Sequence, residues 1–161
     1  MVPVLFAPGA NAATTAEHAI ALMLALSRRL PEQARAVAEG RWEERAHYGG
    51  DEVHGKTLGI VGYGGIGKRV ARVAAALGME VIVAARPGLA CEHPQLSLPE
   101  LLGRAHFVSL HLPLRPETRG LIGAAELAAM RPGACLINTA RGSLVDQAAV
   151  AAALTSGRLG G

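Results

Sequence analysis

Residues Gly62-Tyr63-Gly64-Gly65-Ile66-Gly67 set glycines in the G-x-G-x-x-G spacing. The apolar run Leu58-Gly59-Ile60-Val61 precedes them, and a helical pattern over residues 65–77 follows. A strand, a glycine turn and a helix in that order form the context in which such a loop holds a pyrophosphate. Gly62 suits the tight turn, Gly64 lets the backbone approach a phosphate, and Gly67 lets the helix pack close to the strand. The amides of Gly65 and Ile66 then lie at a helix N-terminus, where free N–H groups and the helix dipole favour anions. The chemistry predicted is dinucleotide binding; the alternative is an ordinary glycine-rich turn between strand and helix.

The choice between NAD and NADP falls at the end of the following strand. An NAD site usually places Asp or Glu there to bond the ribose hydroxyls. Here the strand runs Val81-Ile82-Val83 and leads into Ala84-Ala85-Arg86-Pro87, with no carboxylate. Glu80 stands at the strand's start, more than ~10 Å away at ~3.3 Å per residue, and reads as a solvated residue. Arg86 is placed where a guanidinium pairs with a 2′-phosphate. The cofactor is NAD or NADP, with Ala85 and Arg86 favouring NADP. A surface arginine, stacked on adenine or solvated, is the other reading of Arg86.

Alternating elements must position this loop. Thr14 with Glu17 three residues later reads as a capping box opening a first helix, with Ile20, Met23, Leu24 and Leu26 at near-helical spacing and a stop near Leu30-Pro31. A polar helix over residues 32–39 ends at Gly40, and Tyr48-Gly49-Gly50 reads as loop. In the helix over 65–77, Ile66, Val70, Val73 and Leu77 share a face, and Gly78 ends it. Ser97 and Glu100 form a second capping box. Phe107-Val108-Ser109-Leu110 and Cys135-Leu136-Ile137-Asn138 are further strands, with a helix over 124–130 and a Pro132-Gly133 turn between them. Asp146 caps a last helix over 147–156, closed by Gly157. Strands alternating with helices predict an α/β fold: a Rossmann-type doubly wound parallel sheet in three layers, α/β/α. The strands are short continuous apolar runs, as expected where helices cover both faces. Val2-Pro3-Val4-Leu5-Phe6-Ala7 reads as a strand that starts abruptly, and the sequence stops at Gly160-Gly161 with no closing element. Both suggest a piece of a longer chain.

Composition narrows the class. At 161 residues the length suits one domain. Half the residues are hydrophobic and 18% are charged, which excludes disorder. Aromatics are only 3%, so the core must be aliphatic, and a platform for stacking nucleic-acid bases is excluded. The net charge of +3 comes without any basic run beyond Arg28-Arg29, so no nucleic-acid partner is expected. Cys91 and Cys135 lie far apart and no zinc spacing occurs, so no metal site is expected. Lone cysteines suit a reducing compartment. The N-terminus lacks a basic n-region, and the apolar run over residues 19–26 is far short of the ~20 residues of a membrane span. A cytoplasmic location and no membrane partner are the expectations.

Further motifs resemble the cofactor domain of the D-isomer-specific 2-hydroxyacid dehydrogenases, a family that includes phosphoglycerate, glycerate/hydroxypyruvate and D-lactate dehydrogenases. Pro8-Gly9-Ala10-Asn11 with Ala16-Glu17-His18 resembles that domain's opening, and Gly55-Lys56-Thr57-Leu58 its approach to the glycine loop. His111-Leu112-Pro113-Leu114-Arg115-Pro116-Glu117-Thr118 with Gly120-Leu121-Ile122 is a specific signature. Met130-Arg131-Pro132-Gly133, then Ile137-Asn138-Thr139-Ala140-Arg141-Gly142 and Val145-Asp146, is more specific still. The resemblance covers nearly the whole chain and makes residues 1–161 an NAD(P)-binding domain, incomplete at its C-terminus.

The resemblance implies that Arg141 is catalytic, its guanidinium gripping a substrate carboxylate and polarising the reacting carbonyl. It implies that Thr139 and Ala140 line the nicotinamide end, and that Leu112 and Pro113 flank the cofactor's middle. His111 falls where the family commonly has a histidine that is not its acid/base. His18 reads as a packing or interface residue, and His47, His54, His93 and His106 as loop or element-edge residues. The family's catalytic Glu and His come after the stretch resembling Leu159-Gly160-Gly161, and its substrate domain is missing. The parent enzyme is expected to move a hydride between a nicotinamide and C2 of a D-2-hydroxy or 2-keto acid, 3-phosphoglycerate first. These residues alone are expected to bind cofactor and turn over little. Family members often dimerise through this domain, and the first helix is a candidate contact. The alternative function is a dinucleotide-sensing regulator of the C-terminal-binding-protein corepressor type.

Overall fold

The computed structural model describes Leu5, Ala7 and residues 9–161. The strand expected over residues 2–7 lies largely outside the described residues.

Four parallel strands form one sheet: β1 (Thr57–Val61), β2 (Glu80–Ala84), β3 (Phe107–Leu110) and β4 (Cys135–Asn138), in the spatial order β2-β1-β3-β4. Leu58 pairs with Val81 on one side and with Phe107 on the other, and Phe107 with Cys135. The chain therefore moves outward from β1 to β2, then crosses back to add β3 and β4 on the other flank. The reversal leaves a crevice beyond the carboxyl ends of β1 and β3, where open α/β sheets bind ligands.

Helices cover both faces. α1 (Ala12–Arg28) and α3 (Gly65–Ala76) enclose one core, in which Ile20, Met23, Val70 and Ala74 meet Leu58, Ile60, Val81 and Val83. α4 (Leu98–Arg104), α5 (Ala124–Ala129) and α6 (Gln147–Thr155) enclose the other, in which Leu101, Leu102 and Leu127 meet Val61, Ile82, Val108 and Leu110. Alternate residues of each strand feed opposite cores, as the pleat requires. Ala16, Ala19, Ala71 and Ala74 on the buried faces of α1 and α3 let the helices sit close, and Tyr63 and Phe107 are the aromatic members of that core. α2 (Leu30–Ala38) and a 3₁₀ segment (Trp42–Tyr48) lie outside the sheet.

Several local expectations hold. The Ser97 backbone N–H donates to the Glu100 carboxylate at 2.9 Å, the capping box that opens α4. Asp146 Oδ1 accepts from the Ala148 and Ala149 amides at 2.9 and 3.1 Å, capping α6. Glu80 sits exposed at the start of β2, pairing with Arg104 at 3.2 Å and accepting from Thr57 Oγ1 at 3.1 Å.

Others are corrected. α1 begins at Ala12 with Asn11 as its N-cap, so Thr14 is a helical residue rather than a cap. Gly9 accepts the Ala12 amide at 3.0 Å and starts the turn earlier than the Thr14–Glu17 pattern suggests. α1 ends at Arg28 because Arg29 adopts a left-handed conformation (φ 51°), and α2 starts directly at Leu30-Pro31. Val73 is 42% exposed; the buried face of α3 is Gly67, Val70, Ala71 and Ala74. The packing stripe runs through small residues that hydrophobicity alone underweights.

Candidate functional site at the carboxyl edge of the sheet

The glycine loop leaves β1 at the crevice. Gly62 has φ +96°, and a Cβ there would lie 2.5 Å from the His111 carbonyl oxygen, so turn and neighbour both demand glycine. A Cβ on Gly67 would meet the Gly62 carbonyl oxygen at 2.2 Å, which fixes how closely α3 approaches β1. Gly64 and Gly65 differ. Both have negative φ, both are exposed, and a Cβ on either meets nothing within 4 Å. No contact inside the described chain requires glycine at these two positions. They leave bare backbone at the start of α3, facing open space.

Two cavities meet over this loop. One, of about 300 Å³, lies between the glycine loop and the end of β2, lined by Tyr63, Ala85, Arg86 and Leu89 and by the loop after β3. The other, of about 400 Å³, extends from Gly64, Gly65 and Ile66 to Thr139, Ala140 and Arg141, with Gly9, Asn11, Ala12 and Thr15 as its far wall. His111, Leu112 and Pro113 line both and mark where they join. The structure thus gathers all the residues singled out from sequence (Gly62, Gly64, Gly65, Ile66, Gly67, Arg86, Leu112, Pro113, Thr139, Ala140 and Arg141) at one edge of the sheet. Gly67 alone lines neither cavity; it stands behind the loop as packing.

Arg86 follows β2, exposed, and makes no ion pair among the described residues. Among the described residues, the only carboxylate lining its cavity is Glu117, which already faces Arg115 at 3.7 Å. Thr118 Oγ1 accepts the Arg115 amide at 2.8 Å and donates to the Pro113 carbonyl at 2.9 Å, holding the loop after β3 in shape.

Arg141 sits on the loop after β4. Asn138 clamps that loop: its Nδ2 donates to the Arg141 carbonyl at 2.9 Å and its Oδ1 accepts the Ala140 amide at 3.1 Å. The guanidinium spends one N–H on the Ala140 carbonyl at 2.7 Å and pairs with no carboxylate among the described residues. Asn138 carries no chemistry of its own, and its positioning role is a contribution that motif reading missed. The Asn11–Thr15 wall was missed as well, although Pro8-Gly9-Ala10-Asn11 stood in the resemblance.

Two buried polar side-chain atoms lack any partner among the described residues, His111 Nδ1 and Thr139 Oγ1, and both residues line the Arg141 cavity. Burial pushes the His111 imidazole down to about 4, so it is neutral near pH 7. A larger cavity, about 580 Å³, lies at the opposite edge of the sheet among Lys56, His106, Arg131 and Cys135, away from every one of these features.

A parallel sheet with this crevice, this glycine loop and these two joined cavities defines a nucleotide-binding domain of the Rossmann type. The sequence profile of the D-isomer specific 2-hydroxyacid dehydrogenase, NAD binding domain, matches residues 20–161. The chain belongs to that family, within its NAD-binding domain. It is 44% identical to D-3-phosphoglycerate dehydrogenase of Mycobacterium tuberculosis over 98% of this chain and 31% of the relative. It is 39% identical to hydroxypyruvate reductase of Thermotoga maritima over 98% of this chain and 52% of the relative. The crystal structure of a glyoxylate reductase from Paecilomyes thermophila superposes with a TM-score of 0.86 at 41% identity, covering 93% of this chain and 46% of that one. The chain spans about a third of the length of the phosphoglycerate dehydrogenases it matches.

Proposed function

We propose that this chain binds a nicotinamide dinucleotide across the two joined cavities, as the cofactor-binding part of a D-2-hydroxyacid dehydrogenase. The observation that carries the reading is the pair Gly64 and Gly65. Their bare backbone borders the join of the cavities, and no contact within the described chain calls for glycine there. The α3 N-terminus behind them favours a pyrophosphate. The adenosine half then occupies the cavity beside Ala85 and Arg86, and the nicotinamide half the cavity beside Thr139 and Ala140.

A bound nicotinamide supplies the hydride chemistry at C2 of a 2-hydroxy or 2-keto acid. Arg141, held by the Asn138 clamp, presents free guanidinium N–H groups at that end. They grip the substrate carboxylate in a bidentate pair and draw charge from the keto oxygen. The identity to phosphoglycerate dehydrogenases makes 3-phosphoglycerate the first substrate to test for the whole protein.

Arg86 and the missing carboxylate after β2 favour the 2′-phosphate of NADP over the free ribose of NAD. Calorimetric titration with NADPH and NADH checks this. Tighter NADPH binding, lost in Arg86→Ala, supports it; NADH binding as well as or better than NADPH refutes the preference and leaves the dinucleotide reading standing. The exposed Leu22, Leu26, Leu30, Val37 and Trp42, on and around α1 and α2, form the surface proposed to bury itself against a second copy.

A further inference from the structure

His111 directly follows β3, and its amide donates to the Val61 carbonyl at 2.8 Å, extending the ladder by one residue. Side chains alternate along a strand, so His111 and Ser109 share the face that carries Phe107. Ser109 is 2% exposed. Among the described residues its Oγ has one partner, His111 Nε2, at 2.9 Å. If Nε2 carried the proton, the buried hydroxyl hydrogen of Ser109 would have no acceptor and Nδ1 would be an unpaired acceptor, two unsatisfied groups instead of one. Ser109 therefore donates to Nε2. A neutral imidazole carries one N–H, and burial keeps this ring neutral. The proton then lies on Nδ1, which has no partner among the described residues. An orphaned buried donor is rare in a folded chain unless something else completes it. His111 lines both cavities at their junction, the place the centre of a dinucleotide would take.

We propose that His111 Nδ1–H donates a hydrogen bond to an oxygen near the centre of the bound dinucleotide, and that Ser109 is the positioning residue that fixes this tautomer. This rests on the dinucleotide reading above. The chemistry required of the ligand is an acceptor oxygen, supplied by a phosphate or by the second ribose.

Two measurements test it. Nitrogen-15 NMR of the wild-type chain at pH 7 should find His111 as the Nδ1–H tautomer, and Ser109→Ala should shift it toward Nε2–H. Calorimetry should find NADH bound roughly tenfold more weakly by His111→Phe, a loss typical of one hydrogen bond to a charged or polar oxygen. His111→Asn, whose side-chain amide can reach the Nδ1 position, should recover most of that affinity. AMP should bind both wild type and His111→Phe alike. ADP weakened by His111→Phe identifies the phosphate; ADP-ribose weakened with ADP unchanged identifies the ribose. An Nε2–H tautomer in the wild type overturns the proposal, as does NADH affinity unchanged in His111→Phe. Failure of the wild type to bind any dinucleotide overturns the functional reading itself, and this proposal with it.

Discussion

Burial pushes the His111 imidazole down to about 4 from an ordinary 6.5. The unfolded chain binds the proton more readily than the folded one, so stability rises with pH between those values and is lost as pH falls from 6.5 toward 4. Between pH 7.5 and pH 5 this one group should cost about 2 kcal/mol of folding stability. Urea denaturation of wild type and His111→Asn at both pH values checks it. The variant should lose about 2 kcal/mol less than the wild type on acidification, and an equal loss would show that His111 does not control the slope. Asn138 offers a second residue-scale outcome. Asn138→Ala removes both hydrogen bonds that hold the Ala140–Arg141 backbone, so in the whole protein kcat/KM should fall at least tenfold while the affinity for NAD(P)H changes far less. Equal losses in both would make Asn138 a general structural residue.

The glycine loop makes opposite predictions at neighbouring positions of one element. Gly67→Ala forces α3 away from β1 and should destabilise by about 1–3 kcal/mol, the usual range for overpacking. Gly64→Ala meets no atom of the described chain and should change stability by about 1 kcal/mol or less, the difference between glycine and alanine at a helix N-cap, yet it should weaken dinucleotide binding sharply. Thermal unfolding and calorimetry on the two variants separate the effects. The packing role of Gly67 was readable in advance, because strand, G-x-G-x-x-G and helix follow one another in that order. β3 and β4 were also legible to the residue, being apolar runs bounded by Gly and Pro. The start of α1 was not. Thr14 and Glu17 imitate a capping box, but the Gly9 turn nucleates the helix three residues earlier, with Asn11 as its N-cap. On α3 the expected face holds at Val70, Ile66 and Leu77 but not at Val73, which is exposed while Ala71 and Ala74 carry the packing. At the site, the motifs pointed to residues that line the two cavities and missed those acting through others. Asn138 works through backbone, and Ser109 through a histidine, and neither pattern shows in spacing.

At the scale of the whole molecule, the sheet has two ends with different characters. The carboxyl end bears the glycine loop, Arg86, His111 and Arg141; the amino end bears the larger cavity among Lys56, His106 and Arg131. Volume alone would choose the amino end, whereas topology and chemistry choose the carboxyl end. Outside the sheet, Leu30 and Val37 of α2 and Trp42 of the 3₁₀ segment are exposed by 48%, 55% and 58%. Sedimentation equilibrium should find self-association in the micromolar range that Trp42→Lys with Val37→Glu abolishes; a monomer at high micromolar concentration would refute that surface as a dimer contact for this chain. Amide NMR during titration with NADPH decides between the two ends. Saturable shifts should cluster at residues 62–67, 111–112 and 139–141, with Lys56, His106 and Arg131 unmoved. Shifts confined to the amino end, or none at saturating cofactor, would contradict the assignment of the site.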